Sequence, residues 1–271
     1  MILKINIRNV GYWLEMQGNG EPLLLLHGFT GSGGTWQDFK TILQKYKLIM
    51  IDIIGHGKTD SPEDPNRYRV EEAAEDLKEI LRKFDIHQAH FLGYSMGGRL
   101  ALSFANIYPE YVKSLILESC SPGLKTEEER LDRKERDEKL ANMIIKKGIP
   151  SFVNYWENIP LFESQKSLPL TVKKRMRAER LQNQALGLAN SLRGMGTGVQ
   201  PSWWNHLENL TVPVLLISGG KDEKFFWIMK EMNNLIPTSI YKVVPEAGHA
   251  VHVEQPEIFG KIVDEFLQHF S

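Results

Sequence analysis

Ser95 lies in the sequence G-Y-S-M-G at positions 93–97, directly after the apolar run 89–92 and directly before a helix-like segment. A strand that turns sharply into a helix exposes such a serine at its tip, and the flanking glycines let neighbouring elements approach closely. A lone serine between glycines is most often an ordinary loop residue. Because strand, turn and helix coincide here, the pattern predicts a serine with a chemical role.

A serine hydroxyl is a poor nucleophile or base unless an imidazole accepts its proton. His249 is the best candidate for that imidazole, because it follows a strand-like segment and a glycine-bearing loop. Asp222 lies four residues past Ser218, the end of another apolar run, and is the expected carboxylate partner of the histidine. The chain order serine, aspartate, histidine is the order found in proteins with this kind of turn.

Other side chains near strand ends compete for these roles. His56 lies between two glycines, and His252 lies three residues beyond His249. We interpret both as structural histidines. Asp52 is a rival carboxylate, but it precedes Ser95 in the chain, which is the wrong order for the acid.

The segment L-H-G-F-T-G at positions 26–31 follows an early apolar run. A loop in that place can offer one backbone N–H to a developing oxyanion, and the residue after the serine offers a second. Phe29 and Met96 are therefore the predicted donors. The His27 side chain is interpreted as a ligand of nearby backbone, since an oxyanion hole of this kind uses main-chain donors.

The elements that must position these residues alternate along the chain. Alternating polar and apolar residues in 3–7 and 12–16 predict two antiparallel strands at the start. Short apolar runs then alternate with amphipathic stretches, which predicts a mainly parallel sheet with helices on both faces. The predicted strands span 22–26, 48–51, 89–92, 114–117, 212–218 and 240–244, and the predicted helices span 36–46, 70–84, 97–108, 225–235 and 256–270.

This alternation stops after Pro122, and residues 123–207 are charged and helical in pattern. We interpret them as a helical lid inserted into a core made of residues 1–122 and 208–271. Together with the serine turn, this organisation predicts an α/β-hydrolase fold.

Composition narrows the classes of function. The 271 residues are 42% apolar, and 33 basic residues nearly balance 34 acidic ones, so no broad field favours nucleic acid. No apolar run approaches the roughly 18 residues of a membrane span, and no signal peptide is evident. The sole cysteine, Cys120, cannot form an internal disulfide or a cysteine-rich metal site, which favours the reducing cytoplasm.

Arginines are the first clue to a substrate. Arg99 lies four residues after Ser95, hence on the same face of the predicted helix, and a buried arginine there calls for an anionic ligand. A general esterase pocket, in contrast, should be mostly apolar. Trp156 is interpreted either as a pocket wall or as lid packing, and the sequence leaves both possibilities open.

Several segments together carry a resemblance to a known family. They are L-H-G-F-T-G at 26–31, G-Y-S-M-G-G-R at 93–99, P-G-L at 122–124 with Arg130 and Arg133, R-L-Q-N-Q at 180–184, L-R-G-M-G-T-G at 192–198, and G-H at 248–249. Along nearly the whole chain the sequence resembles the 2-succinyl-6-hydroxy-2,4-cyclohexadiene-1-carboxylate synthases of menaquinone biosynthesis. The arginine-rich lid segments are its most specific part, and 151–174 is its weakest.

The resemblance implies a lyase that eliminates pyruvate from 2-succinyl-5-enolpyruvyl-6-hydroxy-3-cyclohexene-1-carboxylate, a small tricarboxylate. It implies Ser95, Asp222 and His249 as a catalytic triad acting as a base. By the same resemblance, Tyr94, Arg99, Arg133 and Arg180 bind the substrate. Trp156 lies in the weakest part of the match and is a further substrate-binding candidate on its aromatic character alone. It requires no metal or organic cofactor and involves no nucleic acid or membrane span, and it leaves the oligomeric state open.

Two other functions fit the same triad. The first alternative is a serine hydrolase acting on esters, thioesters or carbon–carbon bonds, with Ser95 as nucleophile. The second is a ligand-binding protein that keeps the fold without catalysis. The arginine set argues against the first, and an intact triad argues against the second.

Overall fold

The computed structural model describes residues 1–270, and Ser271, the last residue of the predicted core, lies outside them. Its strands are β1 (Ile2–Ile7), β2 (Val10–Gln17), β3 (Pro22–Leu26), β4 (Lys47–Ile51), β5 (Ala89–Tyr94), β6 (Val112–Glu118), β7 (Val214–Gly219) and β8 (Ser239–Val244). Its helices are α1 (Phe39–Ile42), α2 (Val70–Lys83), α3 (Met96–Ile107), α4 (Glu127–Trp156), α5 (Leu170–Leu181), α6 (Ala185–Met195), α7 (Glu223–Leu235), α8 (Val251–Glu254) and α9 (Pro256–His269).

All eight strands join in one sheet of order β1-β2-β4-β3-β5-β6-β7-β8. β2 pairs antiparallel with both β1 and β4, and the remaining neighbours pair in parallel. The predicted class, a mainly parallel α/β-hydrolase sheet, is confirmed.

Strand β3 shows why the sequences of the central strands are continuous hydrophobic runs. Leu24 and Leu26 pack on one face of the sheet, against α2, α3 and α7. Leu23 and Leu25 pack on the other face, against α1 and α9. Both faces of a parallel sheet are covered by helices, so every position in such a strand is buried.

The helix predicted over 36–46 is wrong in its extent. The chain forms a short 3-10 turn at Gly33–Trp36 and then the single-turn helix α1. Trp36, Phe39 and Leu43 are buried at helical spacing, which produced the helical pattern. The helix ends because the amide of Tyr46 donates to the Leu43 carbonyl and turns the chain into β4.

Residues 123–207 contain α4, α5 and α6. A capping box starts α4, in which the Glu129 amide donates to Thr126 Oγ1 (3.1 Å) and the Thr126 amide donates to Glu129 Oε2 (3.0 Å). Gly148, with a φ of 75°, and the nearby Pro150 break α4, and Phe152 and Trp156 in its last part pack against Phe29 of the loop after β3. This break was not predicted from the sequence.

The inserted segment 123–207, the predicted lid, is fastened to the loop after β3 through polar contacts. Glu179 of α5 accepts hydrogen bonds from the Ser32 amide (3.0 Å), the Ser32 hydroxyl (2.5 Å) and the Thr35 hydroxyl (3.0 Å). Asn183 Nδ2 donates to the Thr30 carbonyl at 2.8 Å. These bonds bring α5 next to the strand ends that carry the site.

Candidate active site

The predicted serine turn has the geometry of a nucleophile elbow. Ser95 connects β5 to α3 with φ 50° and ψ −105°, in the left-handed half of backbone space that non-glycine residues rarely occupy. Its amide donates to the Glu118 carbonyl (2.8 Å), and its carbonyl accepts from the Arg99 amide (3.0 Å). A side chain at Gly97 would collide with the Leu26 carbonyl, so the tight turn requires glycine there.

His249 lies between Ser95 and Asp222. Its Nε2 is 3.1 Å from Ser95 Oγ, and its Nδ1 is 2.6 Å from Asp222 Oδ2. The other carboxylate oxygen of Asp222 accepts the Phe225 amide at the start of α7 (3.3 Å), which holds the carboxylate in place. The His249 and Asp222 side chains are only 2% and 6% exposed. Such a chain can move a proton from Ser95 to His249 while Asp222 stabilises the resulting imidazolium.

Two backbone amides lie close to the serine along the chain or in space. Met96 is the first residue of α3, and an added Cβ on Gly28 would lie 3.6 Å from Ser95 Cβ, so the loop carrying Phe29 runs beside the serine. Within residues 1–270, neither the Phe29 amide nor the Met96 amide donates a hydrogen bond to the protein. Two free N–H groups near a nucleophile suit a developing oxyanion.

The rival histidines and carboxylate have other contacts. His252 donates from Nδ1 to Glu118 (2.8 Å to Oε2), and His56 Nδ1 lies 3.1 Å from the Ile54 carbonyl. Asp52 accepts the Gly33 amide (2.6 Å) and the Lys58 amide (2.8 Å). His27 accepts the Ile53 amide at Nε2 (2.9 Å), and burial lowers its pKa to about 4.

Arg99 and Arg133 lie close enough for their charges to interact. Arg99 donates to the Met195 carbonyl (2.7 Å) and to Gln200 Oε1, both neutral acceptors from the lid. Burial and the nearby Arg133 lower the pKa of Arg99 to about 10. Arg133 Nε donates to Asp137 at 2.8 Å, and its side chain is 38% exposed.

Arg180 lies in the last turn of α5, close enough to Tyr94 for their charges to interact. Its guanidinium stands 5.2 Å from the ring centre of Phe162, and burial lowers its pKa. Burial has the opposite effect on Tyr94, because it holds the pKa of the hydroxyl well above its usual value. Within residues 1–270, neither Arg99 nor Arg180 has a carboxylate within salt-bridge distance, so both could accept an anionic ligand.

Trp156 lies in an aromatic cluster that includes Phe29 of the loop after β3. Its ring centre is 5.3 Å from that of Phe29, 5.6 Å from Phe152 and 5.8 Å from Phe162. Its indole Nε1 is buried without a hydrogen-bond partner in the part of the chain that the structure describes. Packing and an unused donor are thus both present at this residue.

A cavity of about 350 Å³ lies next to the serine turn, with Tyr94 in its wall. Its walls include Phe29, Tyr94, Phe162, Gln165 and Arg180. The volume suits a small polar metabolite. Aromatic walls with a buried arginine favour a ligand that is part ring and part carboxylate.

Two other features bear on function, namely clusters of metal ligands and membrane-spanning helices. Across residues 1–270, no group of three His, Cys, Asp or Glu side chains is arranged to hold a metal ion. Nor does any helix in that range have the length and apolar character to cross a membrane.

Sequence reasoning missed two carboxylates that hold the histidine loop. Glu118, at the end of β6, binds His252, and Glu254 Oε2 accepts the Gly248 amide at 2.7 Å. A charged residue that ends a buried strand was the available signal for Glu118. Glu254 gave no signal, because its partners, Gly248 and the lid residue Ser164, meet only in the folded chain.

The sequence and the fold are shared with known proteins. The profile of the alpha/beta hydrolase fold family matches residues 21–256. A Bacillus subtilis protein provisionally named 2-succinyl-6-hydroxy-2,4-cyclohexadiene-1-carboxylate synthase is 53% identical over 247 residues, which cover 91% of this chain and 90% of that protein. The synthase of that name from Photorhabdus laumondii is 30% identical and covers 93% of this chain and 88% of its own length.

Among solved structures, MenH from S. aureus superposes with a TM-score of 0.89 and 37% identity, covering 95% of this chain and 98% of the other. Fold and sequence therefore agree. The chain belongs to the α/β-hydrolase fold family and, within it, to the family of 2-succinyl-6-hydroxy-2,4-cyclohexadiene-1-carboxylate synthases.

Proposed function

We propose that this protein is a carbon–oxygen lyase of menaquinone biosynthesis. It eliminates pyruvate from 2-succinyl-5-enolpyruvyl-6-hydroxy-3-cyclohexene-1-carboxylate and so forms 2-succinyl-6-hydroxy-2,4-cyclohexadiene-1-carboxylate. The observation that carries the proposal is a serine–histidine–aspartate chain beside buried arginines that have no carboxylate partner. The names of the relatives support the same activity.

In this reaction Ser95 acts as a base. His249 Nε2, 3.1 Å away, accepts the serine proton while Ser95 Oγ removes the ring hydrogen next to the succinyl ketone. The broken C–H bond leaves its electron pair on the ring carbon and the ketone oxygen. Asp222 stabilises the imidazolium of His249 from the other side.

The two free amides fit the charge that then develops. As the ketone oxygen becomes an enolate, the N–H groups of Phe29 and Met96 donate to it. Each such donor contributes about 3 kcal/mol to a transition state. The same two amides would stabilise a tetrahedral intermediate in an esterase, so they support both chemistries and decide between neither.

Expulsion of the leaving group follows from the position of the ring double bond. The electron pair moves through the C3–C4 double bond, and the C5–oxygen bond to the enolpyruvyl group breaks. The product is the 2,4-diene, and the released enolate takes up a proton on carbon, which the His249 imidazolium can return, to become pyruvate. Atoms and electrons balance without an oxidant or reductant, so the reaction itself calls for no redox cofactor.

The arginines account for the choice of substrate. Three carboxylates on the substrate match three arginines, Arg99, Arg133 and Arg180, and arginine holds a carboxylate through paired hydrogen bonds. Tyr94 and Trp156 form walls for the ring. The cytoplasm, where Cys120 would stay reduced, is the proposed compartment.

A parallel assay tests the function. The purified protein is incubated with the enolpyruvyl substrate and, separately, with simple aryl esters, while pyruvate and the released phenol are measured. We expect rapid pyruvate release and little ester hydrolysis. Brisk ester hydrolysis without pyruvate would replace the lyase by the serine hydrolase alternative.

A further inference from the structure

Two polar lid side chains meet in a buried position without satisfying each other. Gln165 lies in the 3-10 segment Pro160–Ser167, and Arg180 lies at the end of α5. Gln165 is 7% exposed and Arg180 is 9% exposed. A contact of 3.5 Å from Arg180 Nη2 to Gln165 Oε1 is the one hydrogen bond of the Arg180 side chain within residues 1–270.

The amide nitrogen of Gln165 is left over. A guanidinium can only donate hydrogen bonds, so the oxygen of the Gln165 amide must face Arg180 and the nitrogen must point elsewhere. In the described part of the chain, this buried Nε2 has no hydrogen-bond partner. An unpaired buried donor is costly and calls for an acceptor from outside the protein.

Both side chains line the 350 Å³ cavity beside Tyr94. The other charged residues in its walls are already engaged. Glu179 accepts three hydrogen bonds from Ser32 and Thr35, and Arg175 forms an ion pair with Asp38 at 2.6 Å. Among the lining residues, the charge without a carboxylate partner and the donor without an acceptor therefore belong to Arg180 and Gln165.

We propose that Gln165 and Arg180 together grip one carboxylate of the substrate. Gln165 Nε2–H donates to one carboxylate oxygen, and the Arg180 guanidinium donates to the other. Gln165 is then a specificity residue, because a neutral donor beside a single cation matches one carboxylate. The identity of the substrate rests on the proposed function, whereas the carboxylate site itself does not.

Substitutions at Gln165 test the site. Gln165→Glu keeps the shape but pairs with Arg180 and repels an anion, and Gln165→Leu removes the donor. We expect KM for the enolpyruvyl substrate to rise roughly 30-fold or more in Gln165→Glu and about 10-fold in Gln165→Leu, with kcat changed far less. Gln184, an exposed lid residue outside the cavity lining, supplies the matched controls Gln184→Glu and Gln184→Leu, which should leave both constants unchanged.

Calorimetric titration with succinate and with pyruvate separates this inference from the proposed function. We expect binding to weaken in both Gln165 variants, in parallel with KM, while thermal unfolding shows that they are folded. If Gln165→Glu does not fold, Gln165→Leu decides the outcome. Loss of succinate binding in a protein that releases no pyruvate would uphold the site and reject the lyase. Wild-type KM and succinate binding in folded Gln165 variants would overturn the inference and leave the lyase standing.

Discussion

His249 and His252 are separated by one short turn of chain, and each places Nδ1 against a carboxylate. Asp222 lies 2.6 Å from His249, and Glu118 lies 2.8 Å from His252. The pairs differ at the other ring nitrogen. Nε2 of His249 reaches Ser95, whereas Nε2 of His252 makes no hydrogen bond within residues 1–270, and its ring packs against Trp36 (5.0 Å) and Tyr94 (4.6 Å).

The carboxylates also differ in what else they bind. Glu118 accepts the backbone amide of His252 (3.0 Å) as well as its ring, so it holds the chain that carries both histidines. Asp222 instead accepts the Phe225 amide and leaves the His249 backbone free. The two pairs thus differ in what the second ring nitrogen meets. His249 meets a serine, as the proposed catalysis requires, whereas the pair without a serine holds the loop in position.

The most direct test of the difference between His249 and His252 is to make the same substitution at both positions. Asparagine can place a donor where Nδ1 was, so it keeps the bond to the carboxylate and removes the base. We expect His249→Asn to lose about 10^4-fold or more of pyruvate release. His252→Asn should stay within about tenfold of wild type. Equal losses in the two variants, measured by coupled pyruvate assay, would mean that the two histidines share the chemistry.

Neutralising the two carboxylates is the next largest test. Asp222→Asn should lower kcat by about 10^3- to 10^4-fold with little effect on the melting temperature, because the histidine loses the anion that stabilises its charged form. Glu118→Gln should lower kcat by a much smaller factor. A larger kcat loss in Glu118→Gln than in Asp222→Asn would reverse the assignment of the two pairs.

Stability should respond in the opposite order. Glu118 is fully buried and accepts hydrogen bonds from both the amide and the ring of His252. Replacing it by glutamine leaves a buried donor unpaired, at a cost of about 1–3 kcal/mol. That cost corresponds to a fall of roughly 2–5 °C in melting temperature for a chain of this size. Calorimetry that shows a smaller fall than in Asp222→Asn would contradict a structural role for Glu118.

The smallest predicted effect is the pH dependence of stability that comes from two other buried histidines, His27 and His56. Burial lowers the pKa of His27 to about 4, and burial with the nearby His27 lowers the pKa of His56 to about 3. Both stay neutral in the folded chain while the unfolded chain takes up protons below a pH of about 6.5. Their contribution to stability is therefore complete above that pH and is lost as the pH falls toward 4.

Between pH 7 and pH 6 this loss amounts to about 1 kcal/mol for the two residues together. Denaturant unfolding at several pH values measures it. The variant His56→Gln should flatten the slope, and an unchanged slope would show that His56 is protonated in the folded state.

The sheet was predictable because its strands are short and buried on both faces, as in β3, where the predicted and observed bounds coincide. The helix predicted over 36–46 was wrong in its extent. Trp36, Phe39 and Leu43 are buried at helical spacing, but most of the segment is not α-helical. Periodicity reports burial, and it cannot report the early turn that a following strand imposes.

The candidate site divides in the same way. Ser95, Asp222 and His249 follow from strand ends and chain order, which are local signals. The partners of Glu118, Gln165 and Arg99 are side chains far along the chain, such as His252 and Gln200, and only the folded lid and loop bring them together. Sequence spacing carries no information about such contacts.

The central claim, that Ser95 acts as a base and not as an acyl-transfer nucleophile, is tested most directly by isotope substitution. The substrate is prepared with deuterium on the ring carbon next to the succinyl ketone, and single-turnover pyruvate release is timed against the unlabelled substrate. Abstraction of that hydrogen in the rate-limiting step predicts clearly slower release from the deuterated substrate. Equal rates, with release still abolished in Ser95→Ala, would contradict the proposed role of Ser95.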